Sequence, residues 1–150
     1  MTRTLLGGVA ALALLSTAPT AWAAPRDCFT DAKDEAGYVA MEAGCAKMAA
    51  EASDDLTKKR ANIGRAYALF FLQRHEESLQ ASDAALALDS KDSDALLIRA
   101  RALRPLNRTD EALAAATRAV EVDPENAYAW SLRGQIWHRG KEDPVKARAE

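Results

Sequence analysis

The chain has 150 residues, of which 20 are basic and 22 are acidic, so its net charge is −2 at pH 7. This length suits one domain of ordinary size. The slightly acidic balance argues against nucleic acid as a general partner, because binding to a phosphate backbone depends on clustered Lys and Arg side chains.

Residues 1–23 have the three parts of a secretory signal peptide. Arg3 is the only charged residue among them, an apolar run extends from Leu5 to Leu15, and Ala21-Trp22-Ala23 is a small-x-small cleavage pattern. A membrane anchor is the alternative, but the apolar run is shorter than the roughly 20 residues of a transmembrane helix. We therefore predict an exported protein, periplasmic or secreted, whose mature chain does not insert into a membrane.

The expected mature chain contains two cysteines, Cys28 and Cys45. An even number of cysteines in an exported chain favours a structural disulfide. A redox role is disfavoured, because the spacing is not Cys-x-x-Cys. Metal binding would need further ligands nearby, and His75 and His138 are far apart in the sequence. No metal site and no cofactor are therefore predicted.

The first predicted helix covers residues 30–52. Four of its apolar side chains recur at helical spacing and should share one face: Tyr38, Met41, Cys45 and Met48. A disulfide to Cys28 would fix the preceding segment to this helix. We interpret residues 24–55 as an N-terminal capping half-repeat.

The chain after this segment repeats itself with a period of 34 residues. Residues 85–90 recur as residues 119–124, and residues 77–79 recur as residues 111–113. A constant period of this length indicates a stack of helical hairpins. Two helices are predicted over residues 56–72 and 76–88, and later helices should start after caps at Ser93, Thr109 and Asn126 and at Asp143-Pro144. Pro105 should end or kink the helix that Ser93 caps, and the helix that Thr109 caps should extend to Val122.

A small residue recurs in the first helix of each copy. Gly64, Ala100 and Gly134 are expected to be equivalent, and the first spacing is 36 residues instead of 34. The first hairpin should then contain two extra residues around positions 71–74. In this register Arg65, Arg101 and Gln135 are equivalent to one another, as are Arg104 and His138.

Several positions of these copies resemble the tetratricopeptide repeat family. The third copy has Trp130, Gly134 and Trp137, and the second has Leu96, Ala100, Leu103, Ala112, Ala119 and Pro124. The resemblance implies an all-α fold: a right-handed stack of antiparallel helical hairpins, with about two and a half repeats over residues 56–150 behind an N-terminal capping helix. The paired cysteines are similar to those of small exported bacterial members. One bundle of alanine-rich helices is the alternative, which the in-register return of Arg99 as Arg133 disfavours.

The same resemblance implies a non-catalytic module that binds a protein or peptide segment in a concave groove. The candidate groove residues are Asn62, Arg65, Arg101, Arg104, Gln135, His138 and Arg139. A basic ladder of this kind would favour an acidic segment, whereas a solvated helix face is the alternative interpretation. The expected mature chain has no Gly-rich phosphate loop, no His-Glu-x-x-His and no Gly-x-Ser-x-Gly, so we predict no enzyme activity.

The end of the sequence indicates an alternative function, which is self-assembly. Only Val145–Glu150 remain for the last predicted helix, so the final hairpin is incomplete or the chain is a fragment. The edge would carry Trp130 and Trp137, and a homo-oligomer could form through it. Their helical spacing nevertheless favours core positions for both tryptophans over a binding platform.

Overall fold

The computed structural model describes Cys28 and residues 31–141, and within these residues the chain is all-helical. The six helices are α1 Glu35–Glu51, α2 Asp55–Phe71, α3 His75–Leu88, α4 Ser93–Leu103, α5 Thr109–Val122 and α6 Ala127–Lys141. Each helix packs on the next, and α2 also contacts α4, as α4 contacts α6. The predicted stack is confirmed, with α2–α3 and α4–α5 as hairpins. The predicted signal peptide and the predicted last helix from Asp143 lie outside the described residues.

Aspartate side chains begin three of the helices. The carboxylates of Asp34, Asp54 and Asp92 each accept a hydrogen bond from the backbone N–H three residues later, at 2.8, 2.8 and 3.0 Å. Such caps satisfy N–H groups that have no partner within the helix. As a result, α1 begins later than predicted, and α4 is capped by Asp92, where Ser93 was expected.

The turns inside the two complete hairpins have the same geometry. Gln73 and Asn107, 34 residues apart, both have a positive φ, 61° and 58°. The backbone N–H of the following residue bonds back to Leu69 in the first turn and to Leu103 in the second. The two turns are therefore in strict 34-residue register, and the two extra residues that we predicted in the first turn are absent.

The first hairpin differs from the second at the start of α2, which is longer there than α4. Its cap, Asp54, precedes the cap of α4, Asp92, by 38 residues. Four residues are about one helical turn, so α2 has one more turn than α4 at its N-terminus. The residue equivalent to Ala100 is consequently Ala66 and not Gly64. Ala66 is fully buried, and its carbonyl accepts a 2.7 Å hydrogen bond from the hydroxyl of Ser78 on α3.

Gly64 instead allows the disulfide to approach α2. Cys28 and Cys45 are bonded and fully buried. A Cβ atom added at Gly64 would lie 2.7 Å from the sulfur of Cys45 and 3.3 Å from that of Cys28. Only a residue without a side chain lets α1 and its bridge pack this closely on α2.

The largest part of the core lies between α4, α5 and α6. Leu103 is fully buried there, and Leu132 and Ile136 of α6 are each 1% exposed. Four alanines of α5 are buried in the same cluster: Ala112, Ala115, Ala116 and Ala119. None of the described helices is both long and apolar enough to cross a bilayer.

One lysine links the first hairpin to the start of the second. The ammonium of Lys59 on α2 lies 2.8 Å from a carboxylate oxygen of Asp89 and 2.8 Å from one of Asp92. Its hydrogen bond to Asp89, and next its bond to Asp92, raise the pKa of Lys59. The hydrogen bond that Lys59 donates to Asp89, together with the one from the backbone N–H of Lys91, lowers the pKa of Asp89.

The ion pair between Lys59 and Asp89 should make part of the stability of the fold depend on pH. A carboxylate whose pKa is lower in the folded chain stabilises the fold above its unfolded pKa of about 3.9, and the contribution disappears as pH falls through the lowered folded value. Lys59→Gln should therefore be less stable than the wild type at pH 7, and the difference should narrow below about pH 4. Urea unfolding at several pH values measures this. Lys47→Gln, on exposed α1 surface, is the control, and a gap that stays constant would contradict the prediction.

Candidate functional site

The first helices of the hairpins, α2 and α4, enclose a cavity on the face that they share with α6. Its volume is about 360 Å³. Most of its lining is apolar, and α1 and α6 complete it; the lining residues are Met41, Ile63, Gly64, Tyr67, Asp94, Leu97, Ile98, Arg101 and Tyr128. We call this cavity the apolar cavity. It has the apolar surface and the few polar groups that ligand sites usually have.

Arg101 is the basic residue of the apolar cavity, and aromatic rings hold it in place. Its guanidinium carbon lies 4.3 Å from the ring centroid of Phe70, 5.4 Å from that of Phe71 and 5.9 Å from that of Tyr67. These distances are within the range of cation–π attraction. Arg101 was a predicted site residue, and the structure places it at the cavity, with its charge against the end of α2.

These rings belong to an aromatic cluster that sequence reasoning did not identify as part of the site. Tyr38 of α1 stacks on Phe71 with centroids 4.7 Å apart and an interplanar angle of 4°, and Tyr67 lies 4.8 Å from Phe71. Tyr38 therefore brings α1 into contact with the aromatic residues at the end of α2. A signal was present in the sequence, since Tyr67, Phe70 and Phe71 follow one another closely at the end of a predicted helix.

Four of the predicted residues do come together in a second cavity, between α4 and α6. It has a volume of about 470 Å³ and is lined by Arg104, Gly134, Gln135, His138 and Arg139. We call it the basic cavity. None of these five lining residues carries a carboxylate. The Nε atom of Arg104 is buried and has no hydrogen-bond partner among the described residues.

Arg65 does not join this group, because the register that placed it beside Arg101 was wrong. In the observed register Arg65 is equivalent to Arg99 and Arg133. Arg65 donates a 2.9 Å hydrogen bond to Glu42 of α1, and Arg99 donates one of 2.7 Å to Asp83 of α3. The first two members of this series therefore pair with carboxylates of the preceding helix instead of forming a ladder with Arg101 and Gln135.

Asn62 also lies apart from both cavities. In the observed register it is equivalent to Leu96 and Trp130, and it is half-buried in α2. Its amide lines neither the apolar nor the basic cavity. The predicted groove set is thus divided into Arg101 at one cavity, four residues at the other, and two residues outside them.

The tryptophans of α6 are exposed, which corrects their predicted core positions. The indole of Trp130 is 46% exposed and donates a hydrogen bond to the carbonyl of Pro124 at 2.8 Å, while the guanidinium of Arg133 lies 4.2 Å from its ring. Trp137 is 52% exposed. In a repeat stack these positions are covered by the following helix, and α6 is the last helix in the part of the chain that the structure describes.

The histidines lie on different elements. His75 opens α3, with its ring 5.5 Å from that of Phe70, and His138 lies on α6 beside the basic cavity. Across residues 31–141 and Cys28, no group of three or more His, Cys, Asp or Glu side chains is placed to hold a metal ion. The apolar cavity offers apolar contacts to a ligand, and the basic cavity offers hydrogen-bond donors to an anion.

Comparison with known proteins adds two findings. The tetratricopeptide repeat family model matches residues 93–136, which cover α4, α5 and most of α6. Among solved structures, the Hsp90 co-chaperone Cns1 from Saccharomyces cerevisiae (delta69) is similar, with a TM-score of 0.67 and 23% identity over 75% of this chain and 36% of that chain. No curated protein sequence matches significantly. Residues 93–136 thus match a tetratricopeptide repeat, and the described part of the chain has the fold of a stack of helical hairpins.

Proposed function

We propose that this protein is a non-catalytic protein–protein interaction module of the cell envelope, which holds a segment of another protein in the groove between α2 and α4. The apolar cavity carries this proposal. Two tyrosines flank it and remain open to solvent, Tyr67 at 36% and Tyr128 at 48%. Exposed aromatic side chains around an apolar depression are typical of protein-binding surfaces.

The location in the envelope rests on two observations of different kinds. Residues 1–23 have the pattern of a signal peptide. The disulfide between Cys28 and Cys45 fits an oxidising compartment, because reducing systems keep most cytosolic thiols free. A periplasmic or secreted module that binds other exported proteins is consistent with both.

Site-specific photocrosslinking in intact cells tests the groove. A benzophenone amino acid replaces Tyr67 or Tyr128 in the full chain, and matched positions on the exposed surfaces of α3 and α5, Gln80 and Glu121, serve as controls. We expect discrete adducts with another protein from the two groove positions and none from the controls. Equal adducts from all four positions, or none from the groove, would contradict the proposal.

A second function, self-assembly, is favoured by the exposed indoles of Trp130 and Trp137. If α6 packs on another copy of the chain, sedimentation velocity should show an oligomer that grows with concentration. Trp137→Glu should dissociate it, while Leu88→Glu, at another exposed apolar residue, should not. A monomer at all concentrations would exclude self-assembly and leave the groove function standing.

A further inference from the structure

Among the described helices, α6 is the one without an acidic residue. It contains Arg133, Arg139 and Lys141, whereas each of α1 to α5 contains at least one Asp or Glu. The whole chain has a net charge of −2, so the charge of α6 is opposite in sign to that of the protein. A surface that this helix exposes should therefore attract anionic partners.

Two cavities meet on the exposed side of α6, because Gly134 lines both of them. One is the basic cavity, and the other lies between α5 and α6 and has a volume of about 420 Å³. The lining residues of this other cavity are Leu113, Thr117, Arg133, Gly134 and Trp137. None of the described residues that line the two cavities is acidic. Five of them form what we call the α6 surface: Arg104, Arg133, Trp137, His138 and Arg139.

The α6 surface combines an exposed indole with basic side chains. Trp137 is 52% exposed. Indole rings are favoured at the interface between a bilayer and water, where one part of the ring contacts lipid and the N–H group remains in a polar environment. Helices that present Trp together with Lys or Arg are typical of proteins that lie on anionic membranes.

We propose that the α6 surface binds the phosphate headgroups of an anionic lipid bilayer, with the indole of Trp137 at the depth of the headgroups. The planar guanidinium group is well suited to phosphate, and both cavities of this surface contain at least one. This inference goes beyond the groove function, because none of the five residues lines the apolar cavity.

Arg104 provides a separate observation in favour of a phosphate ligand. Its Nε atom is buried and has no hydrogen-bond partner among the described residues, which is a costly state for a donor. A headgroup that enters the basic cavity would supply an acceptor oxygen, and the resulting hydrogen bond would be charge-assisted. Arg65 and Arg99 differ in this respect, since each already donates to a carboxylate of the chain.

A second copy of the chain fits this surface less well than a bilayer does. Pairing α6 with α6 would bring positive charges close to positive charges, which is unfavourable. An anionic bilayer neutralises these charges instead, and each basic residue near it adds to the attraction. The charge of α6 therefore favours lipid over self-association at this surface.

Vesicle co-sedimentation of the full chain tests the proposal. One set of vesicles is pure phosphatidylcholine, and the other contains one part phosphatidylglycerol to two parts phosphatidylcholine. We expect tighter binding to the anionic vesicles, and high salt should weaken it. Arg104→Gln combined with Arg139→Gln should weaken binding to the anionic vesicles about twentyfold, since each arginine near such a surface contributes about fivefold.

A matched control removes two positive charges elsewhere. Lys47→Gln combined with Arg118→Gln, at exposed positions of α1 and α5, should weaken binding much less. Every variant keeps residues 1–23, so any contact that this segment makes with lipid is the same in all of them, and circular dichroism checks that each variant is folded. Quenching of tryptophan fluorescence by brominated phosphatidylglycerol should decrease more in Trp137→Phe than in Trp22→Phe.

Several results would overturn the inference. Equal binding to the two vesicle types would do so, as would equal losses in the two double variants. If inorganic phosphate abolished binding at matched ionic strength, the α6 surface would be a site for a small anion and not for a bilayer. An oligomer without lipid that Trp137→Glu dissociates would assign the surface to a second copy of the chain.

Discussion

Replacing Gly64 by Ala is expected to lower the free energy of unfolding by about 1–3 kcal/mol, the usual cost of forcing an extra methyl group into a packed interior. Ala is the better helix former, so helix propensity alone predicts the opposite sign. Steric conflict decides the outcome, because the added Cβ would lie 2.7 Å from the sulfur of Cys45. That sulfur belongs to a buried disulfide and has little room to move. Urea unfolding followed by circular dichroism measures the change.

Two controls isolate the steric effect. Gly134 is also in a helix, but a Cβ there would meet no atom of the described residues within 4 Å. Gly134→Ala should therefore leave stability unchanged or raise it by up to about 1 kcal/mol. In a chain with Cys28→Ala and Cys45→Ala, Gly64→Ala should cost much less, since both sulfur atoms are gone. An equal cost of Gly64→Ala with and without the disulfide would show that the sulfur is not the obstacle.

Removing the disulfide is expected to lower the free energy of unfolding of this chain strongly. The bond joins residues that are 17 positions apart, and the chain-entropy model gives about 3 kcal/mol for a loop of similar length. We expect the Cys28→Ala/Cys45→Ala variant to lose about that much stability in urea unfolding. Reduction of the wild type with dithiothreitol should produce a comparable loss and should not affect the variant.

The loss of stability should be concentrated in α1. Because α1 packs mainly on α2, its attachment depends on the bridge and on a small set of buried side chains, Met41, Cys45 and Met48. Hydrogen exchange should therefore speed up more at the α1 amides than at those of α4 and α5. Equal acceleration in every helix would mean that the bridge stabilises the whole stack uniformly.

The 34-residue period was sufficient to predict the stack of hairpins and the limits of its second helices. The predicted limits of α3 and α5 differ from the observed ones by no more than a residue. In these helices the repeat, the small residues and the turn chemistry agree, which is the condition under which local sequence specifies structure.

The register of α2 was predicted wrongly because it was fixed by one residue type. Gly64 was matched to Ala100, although the strict period matches Ala66 to Ala100 and Arg65 to Arg99. The glycine is present for a contact with another helix, the bridged α1, and a repeat pattern contains no information about that contact. The extra turn of α2 lies at its N-terminus and leaves the 34-residue spacing of the later positions unchanged, so the repeat pattern does not show it either.

The candidate site was predicted in part. Arg104, Gln135, His138 and Arg139 lie together because positions on successive first helices share a face of the stack. The role of the ring of Phe70 and the exposure of Trp130 could not be derived in this way. Both depend on which side of a helix is covered by a neighbour, and periodicity shows only that a helix has an apolar side.

Gly64 lines the apolar cavity, and a Cβ atom added to it would lie 2.7 and 3.3 Å from the two sulfur atoms. The floor of the cavity is therefore adjacent to the bridge at this residue. A ligand that fits this floor only in its present shape would bind the oxidised chain more tightly than the reduced one. By thermodynamic reciprocity, the bound ligand would protect the cystine from reduction to the same degree.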